Sequence, residues 1–189
     1  MVIKQKLGLE DYLALPEWEK PYKEFVDGEV IEKVSPNLNH FQLAGDVIAQ
    51  LKEFPAATAF LIGPELRCVF GNPARSYLPD VCLIRVDRLP LSREARARPL
   101  RLPPDVAIEI LSPEQGAGRL LRKLSFYMEN GVRLALVIDP DDEIVTVYEP
   151  GQQPRTAAGD SRLSLAPVSA EIELDLEALF GALPPKESP

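Results

Sequence analysis

Apolar residues recur along the chain with helical and strand spacings, and each spacing predicts an element. Leu9 to Leu15 is a short helical run that stops near Pro16. Tyr22 to Val34 places two strand-like runs around Asp27-Gly28, a dipeptide suited to the tight turn of a hairpin. Leu38, Phe41, Ala44, Ile48 and Leu51 share one face of a helix capped by Ser35 or Asn37 and running to about Phe54. Strands are predicted at Ala59 to Ile62, Glu65 to Phe70 and Leu78 to Val86, then an Arg- and Pro-rich loop or broken helical turn over 87–104. Val106 to Leu111 is almost wholly apolar, the pattern of a short strand buried on both faces in the middle of a mixed sheet. Gly118 to Asn130 is a helix closed by Gly131, and Leu134 to Asp139 and Glu143 to Tyr148 form a second hairpin. Weaker strands lie within 151–174, a last helix covers Asp175 to Leu183, and 184–189 is a loose tail. No repeat or long linker divides the chain, so residues 1–183 are expected to form a single α/β (α+β) domain, with helices flanking a mixed central sheet.

Composition narrows the function. The chain has 189 residues, 46% hydrophobic and 26% charged, with net charge −8. That is ordinary globular material, and it excludes wholesale disorder. It also argues against a surface that coats nucleic acid nonspecifically, while leaving room for a local positive groove. Cys68 and Cys82 sit in apolar runs and read as reduced core residues of a cytoplasmic protein. The first residues lack the apolar stretch of a signal peptide, and no run is long enough to span a membrane. One histidine and two scattered cysteines cannot build a zinc cluster. Nucleophile-elbow, P-loop and dinucleotide motifs are missing.

The informative residues are acids in apolar surroundings. Glu109 interrupts Val106 to Leu111, and Asp80 follows Pro79 and opens the run Val81-Cys82-Leu83-Ile84. A lone carboxylate in such a run costs several kcal/mol unless a partner or metal compensates. Taken singly, Asp80 fits a strand cap, Glu109 an arginine pair, and Glu24 in the first hairpin a solvated position. Taken together, Asp80 and Glu109 on neighbouring strands form an oxygen-rich site suited to Mg²⁺. Lys123 flanks the stripe Leu120, Leu124, Tyr127 on the following helix. Spacing alone suits a solvated lysine; the carboxylate pair favours one aimed at the sheet.

Five segments together resemble a known family. They are Glu10 to Pro16, Tyr22 to Glu29, Leu78-Pro79-Asp80-Val81, Ala107 to Pro113, and Lys123-Leu124-Ser125-Phe126-Tyr127. Ser35-Pro36 with His40 and Gly45, and Leu136-Val137-Ile138-Asp139-Pro140, extend the match to roughly residues 8–150 in order. The set resembles a large bacterial family of restriction-endonuclease-like proteins, which carry a variant PD-(D/E)xK nuclease motif. The resemblance implies a restriction-endonuclease-like core, with Asp80 as the motif aspartate and Glu109 as the motif acid. Leu111 stands where the usual motif lysine would be, and Lys123 matches the helical lysine that takes its place. Glu24 matches the family's hairpin glutamate, a further ligand or water-orienting group. The family often has an acid four residues before the lysine; here Arg119 stands there and offers a phosphate contact instead.

The function implied is metal-dependent hydrolysis of DNA phosphodiester bonds. Asp80, Glu109 and the Ile110 carbonyl would hold Mg²⁺ or Mn²⁺, with Lys123 and Glu24 completing the catalytic set. Arg119 and Arg122 would meet phosphates, and His40, the only histidine, would stand at the rim. Two other readings remain open: a nuclease-fold protein kept as a binding or assembly module, and a hydrolase of other phosphoesters. Nucleases of this fold often pair, so a homodimer is expected, with its contact sought among the apolar residues of 134–148 and the C-terminal strands.

Overall fold

Alternating burial along the strands sorts the core into two faces of a central sheet. The computed structural model describes residues 7–15, 21–112, 116–159 and 161–185. Pro16, Pro113 and the end of the tail therefore lie outside the described residues. The helices are α1 (Leu9–Leu13), α2 (Leu38–Lys52), α3 (Arg93–Arg96), α4 (Ala117–Glu129) and α5 (Leu176–Gly181). The first strands are β1 (Lys23–Val26), β2 (Glu29–Glu32), β3 (Phe60–Pro64), β4 (Cys68–Phe70), β5 (Arg75–Tyr77) and β6 (Val81–Arg85). The rest are β7 (Val106–Ile110), β8 (Leu134–Asp139), β9 (Ile144–Tyr148), β10 (Arg155–Ala158), β11 (Arg162–Ser164) and β12 (Glu173–Asp175).

The central sheet has the order β10-β9-β8-β7-β6-β3, antiparallel except where β7 runs parallel to β8 across the α4 crossover. A smaller sheet, β2-β1-β5-β4, and the hairpin β11–β12 accompany it. Val106, Ile108 and Ile110 of β7 join Val81 and Leu83 of β6 in one core, with Leu43, Val47 and Leu51 of α2. Ala107, Cys82 and Ile84 point the other way, into a second core with Leu120, Leu124, Phe126 and Tyr127 of α4. The fully buried β7 is the central mixed-sheet strand expected from its composition.

The first hairpin closes through Asp27 and Gly28, both at positive φ, as the sequence requires. Gly71, also at positive φ, lies so close to Phe126 that a Cβ would overlap the ring. Cys68 and Cys82 are free and buried; the contact with Cys82 and burial raise the Cys68 thiol well above its usual range.

Three expectations need correction. The fully buried residues of α2 are Leu43, Val47 and Leu51, with the expected Ala44 and Ile48 packed against the same core, whereas Leu38 and Phe41 are 76% and 71% exposed. Of the two caps expected for that helix, Asn37 is the one found. The run Leu78 to Val86 is not one strand. β5 ends at Tyr77 in the smaller sheet and β6 begins at Val81 in the central one, so Leu78-Pro79-Asp80 crosses between sheets. Pro79 has no N–H to give a ladder, so a crossing there breaks no bond. Finally, the apolar residues of β8 and β9 are spent inside the chain: Leu134, Leu136, Ile138, Val145 and Val147 all belong to the core. Those five side chains are closed to a partner, while Ile144 and Tyr148 of β9 are half-buried.

Candidate active site

Register brings the two sequence-selected acids together. Val81 pairs with Ile108, so one further step places Asp80 opposite Glu109. Alternation points Glu109 to the α4 side, the same side as Ala107. The contact is tied down by the backbone: the Ile110 N–H donates to Asp80 Oδ2 at 2.7 Å.

Glu109 is only 1% exposed, and both its oxygens are held. Lys123 Nζ donates to Oε2 at 2.8 Å and the Tyr127 hydroxyl to Oε1 at 2.8 Å. Lys123 and Tyr127 are four residues apart on α4, so one helical face presents both. Lys123 also donates to Glu24 Oε1 at 2.8 Å, and that oxygen accepts the Leu78 N–H at 3.2 Å. The lysine that spacing alone left solvated is buried between two carboxylates, and Glu24, offered as solvated, is buried with it.

Asp80 has a second set of partners. Lys33 Nζ lies 2.6 Å from Oδ1, and His40 Nε2 lies 3.1 Å from Oδ2. Lys33 is placed by its backbone N–H, which extends the first hairpin to the Tyr22 carbonyl. His40 is placed by the Asn37 cap, whose side chain accepts the His40 N–H at 2.9 Å in the first turn of α2. His40 is therefore an Asp80 partner and not merely a rim residue. Arg119 and Arg122 are exposed on α4 and line the same pocket, of about 450 Å³, as Glu24, Asp80, Glu109 and Lys123.

The charges respond to one another. Burial pushes the Glu109 carboxyl up; Lys123 opposes this, Asp80 and Glu24 add to it, and the result is about 7. Burial works against the Lys123 ammonium, but Glu109, Glu24 and Asp80 raise it well above the usual lysine range. Burial alone would raise Asp80. The His40 hydrogen bond and the charges of Lys33, His40 and Lys123 outweigh it and hold that carboxyl well below the usual range. Tyr127 is driven up by burial and by Glu109, so its phenol keeps the proton it donates.

Glu24, Asp80, Glu109, Arg119, Arg122 and Lys123 thus line one pocket, with His40 and the Ile110 N–H held against Asp80. Lys33 and the contact of Tyr127 with Glu109 were not foreseen. Tyr127 stood in the apolar stripe beside Lys123, and its hydroxyl was the available signal. Lys33, between Glu32 and Val34, carried none.

Among the described residues, no three His, Cys, Asp or Glu side chains stand close enough to hold a metal ion by themselves. The donor set still fits Mg²⁺ or Mn²⁺ by chemistry. Mg²⁺ takes hard oxygens, and one or two protein carboxylates suffice because water and substrate phosphate complete its shell.

A mixed sheet with helices on both faces, with one acid on β7, a second just ahead of β6 and a buried lysine beside them, is the arrangement of a nuclease-fold protein. The chain belongs to the Uma2 family, described as "Putative restriction endonuclease", whose model matches residues 9–177. Among solved structures it is similar to a protein of Anabaena variabilis described as a "putative nuclease belonging to DUF820". The two are 26% identical with a TM-score of 0.81, over 93% of this chain and 98% of the other. No curated protein matches. The fold class and family expected from the sequence are both borne out.

Proposed function

We propose that this pocket hydrolyses phosphodiester bonds of DNA with a divalent cation, Mg²⁺ or Mn²⁺, held by Asp80, Glu109 and the Ile110 carbonyl. The chemistry such a cation supplies when bound is Lewis-acid: a more acidic water and stabilised charge on the phosphate. The chain's own groups do the rest. Lys123 orients the attacking water or neutralises charge gathering on the phosphate. Glu24 holds the Lys123 ammonium in place, and Tyr127 holds Glu109. Arg119 and Arg122 supply a local positive mouth to an otherwise acidic protein and meet the substrate phosphates. His40 steadies Asp80. A homodimer with two such pockets would address both strands of a duplex; a monomer in light scattering at micromolar concentration would remove that part of the reading.

The observation that carries the reading is Lys123 Nζ, 2.8 Å from both Glu24 and Glu109 in the pocket that Asp80 also lines. The test is cleavage of plasmid and linear DNA with Mg²⁺ or Mn²⁺. Asp80→Ala, Glu109→Ala and Lys123→Ala are each expected to lose about 10²-fold or more. Full metal-dependent cleavage by Asp80→Ala or Glu109→Ala would overturn the assignment.

A second reading, a nuclease-fold binding or assembly module, is favoured by one observation. All four oxygens of Asp80 and Glu109 already have partners within the chain. Under it, neither Mg²⁺ nor Mn²⁺ raises the melting temperature and no form of DNA is cut.

A further inference from the structure

The two acids of the pocket are held by their cations in unequal ways. Glu109 is gripped on both oxygens by buried groups of α4, Lys123 and Tyr127. Asp80 divides its bonds. Oδ2 accepts the Ile110 N–H and faces His40, both fixed by secondary structure. Oδ1 has a single partner among the described residues, Lys33, at 2.6 Å. Lys33 stands on a flexible stem, its side chain 15% exposed, and a second carboxylate is close by: Glu65 Oε1 is 3.6 Å from the same Nζ.

The Glu65 backbone is fixed where it stands. It is a non-glycine residue at φ 48°, a conformation that side chains disfavour. Its N–H points at the Pro79 and Asp80 carbonyls, at 3.2 and 3.4 Å. The turn leading out of β3 is thereby stitched to the segment that presents Asp80. One ammonium therefore lies between two carboxylates, one in the pocket and one at its edge.

We propose that Lys33 is a displaceable counter-ion of Asp80, handed over to Glu65 when a divalent cation binds. The proposal rests on the metal-dependent reading of the pocket and adds a residue to it. Release of Oδ1 needs only a small swing of one side chain. Asp80 stays anchored through Oδ2 to Ile110 and His40, so the donor is freed without being loosened. Lys33 thus competes with the cation and sets its affinity, and Glu65 lowers the cost of that exchange by receiving the displaced charge.

The test is calorimetric titration of the full chain with MnCl₂, for wild type, Asp80→Asn, Lys33→Met, Glu65→Gln and the Lys33→Met/Glu65→Gln double variant. Asp80→Asn is expected to lose binding. Lys33→Met is expected to bind about tenfold more tightly, the size of one lost charge-pair competitor. Glu65→Gln is expected to bind several-fold more weakly, and that weakening should vanish in the double variant. Equal weakening with and without Lys33 would mean that Glu65 acts on the cation by charge alone, and would overturn the hand-over. Lys33→Met binding no tighter than wild type, with Asp80→Asn failing to bind, would overturn the Lys33 assignment and leave the site reading intact. Unchanged binding by Asp80→Asn would overturn both. A wild-type crystal grown with Mn²⁺ reads the same event without any variant. Lys33 Nζ on Glu65 and clear of Asp80 supports the hand-over; Nζ still on Oδ1 beside a bound ion refutes it.

Discussion

Asp105 and Glu109 are both buried acids on or beside β7, yet their surroundings set them apart. Asp105 accepts the Arg85 N–H at 2.8 Å and pairs with Arg88 at 2.7 Å, a self-contained structural arrangement. Glu109 instead is held up to about 7 by its burial, with Asp80 and Glu24 adding to the effect and the lysine it shares with Glu24 opposing it. In the metal-free protein Glu109 binds a proton more tightly when folded than in the unfolded chain, where its value is near 4.5. The folded state then carries the extra proton between those values, and stability falls as pH rises through that window. Asp80 has the opposite sign: its contribution is present above the ordinary aspartate range and is lost only in strong acid. Urea denaturation in chelator should therefore show wild type losing roughly 1–3 kcal/mol relative to Glu109→Gln between about pH 4.5 and pH 7. Parallel curves would count against the raised carboxyl. The acids were legible because a carboxylate inside Val-Ala-Ile-Glu-Ile-Leu breaks a one-dimensional pattern. Lys33 breaks none, since its partners lie 47 and 32 positions away in sequence, at Asp80 and Glu65.

At the level of elements, periodicity found the helices but not always their inward face. In α2, the predicted stripe overlaps the buried one of Leu43, Val47 and Leu51: Ala44 and Ile48 pack against the same core, and it is Leu38 and Phe41 in the first turn that face out. Spacing alone cannot rank them; the sheet beneath decides. Leu43→Ala should cost roughly 2–5 kcal/mol, and Phe41→Ala should stay within about 0.5 kcal/mol, read from denaturation midpoints. Equal losses would contradict the packing described for α2. β5 escaped notice because Arg-Ser-Tyr is short and runs almost directly into the next strand. What separates them is the change of sheet at Leu78-Pro79-Asp80, and pairing partners are not written in local sequence. That unread crossing is what sets Asp80 beside the hairpin that carries Glu24.

Across the whole molecule the pocket lies on a seam. Asp80, Glu109 and Lys123 belong to the central sheet and its crossover helix, while Glu24 and Lys33 come from the first hairpin. That hairpin joins the remainder of its own sheet through the single register pair Phe25 with Ser76, and β2 is largely exposed. β7 is buried throughout and has a full-length neighbour in β8. Hydrogen exchange should follow this division: β1 and β2 amides exchange through local opening, and β7 and β8 amides only through global unfolding. Uniform protection of both regions would speak against it. A hairpin that lifts away first would take two charged side chains with it and leave the central sheet standing. Warmed gently, such a protein would lose its pocket well before it melts, and rebuild it on cooling.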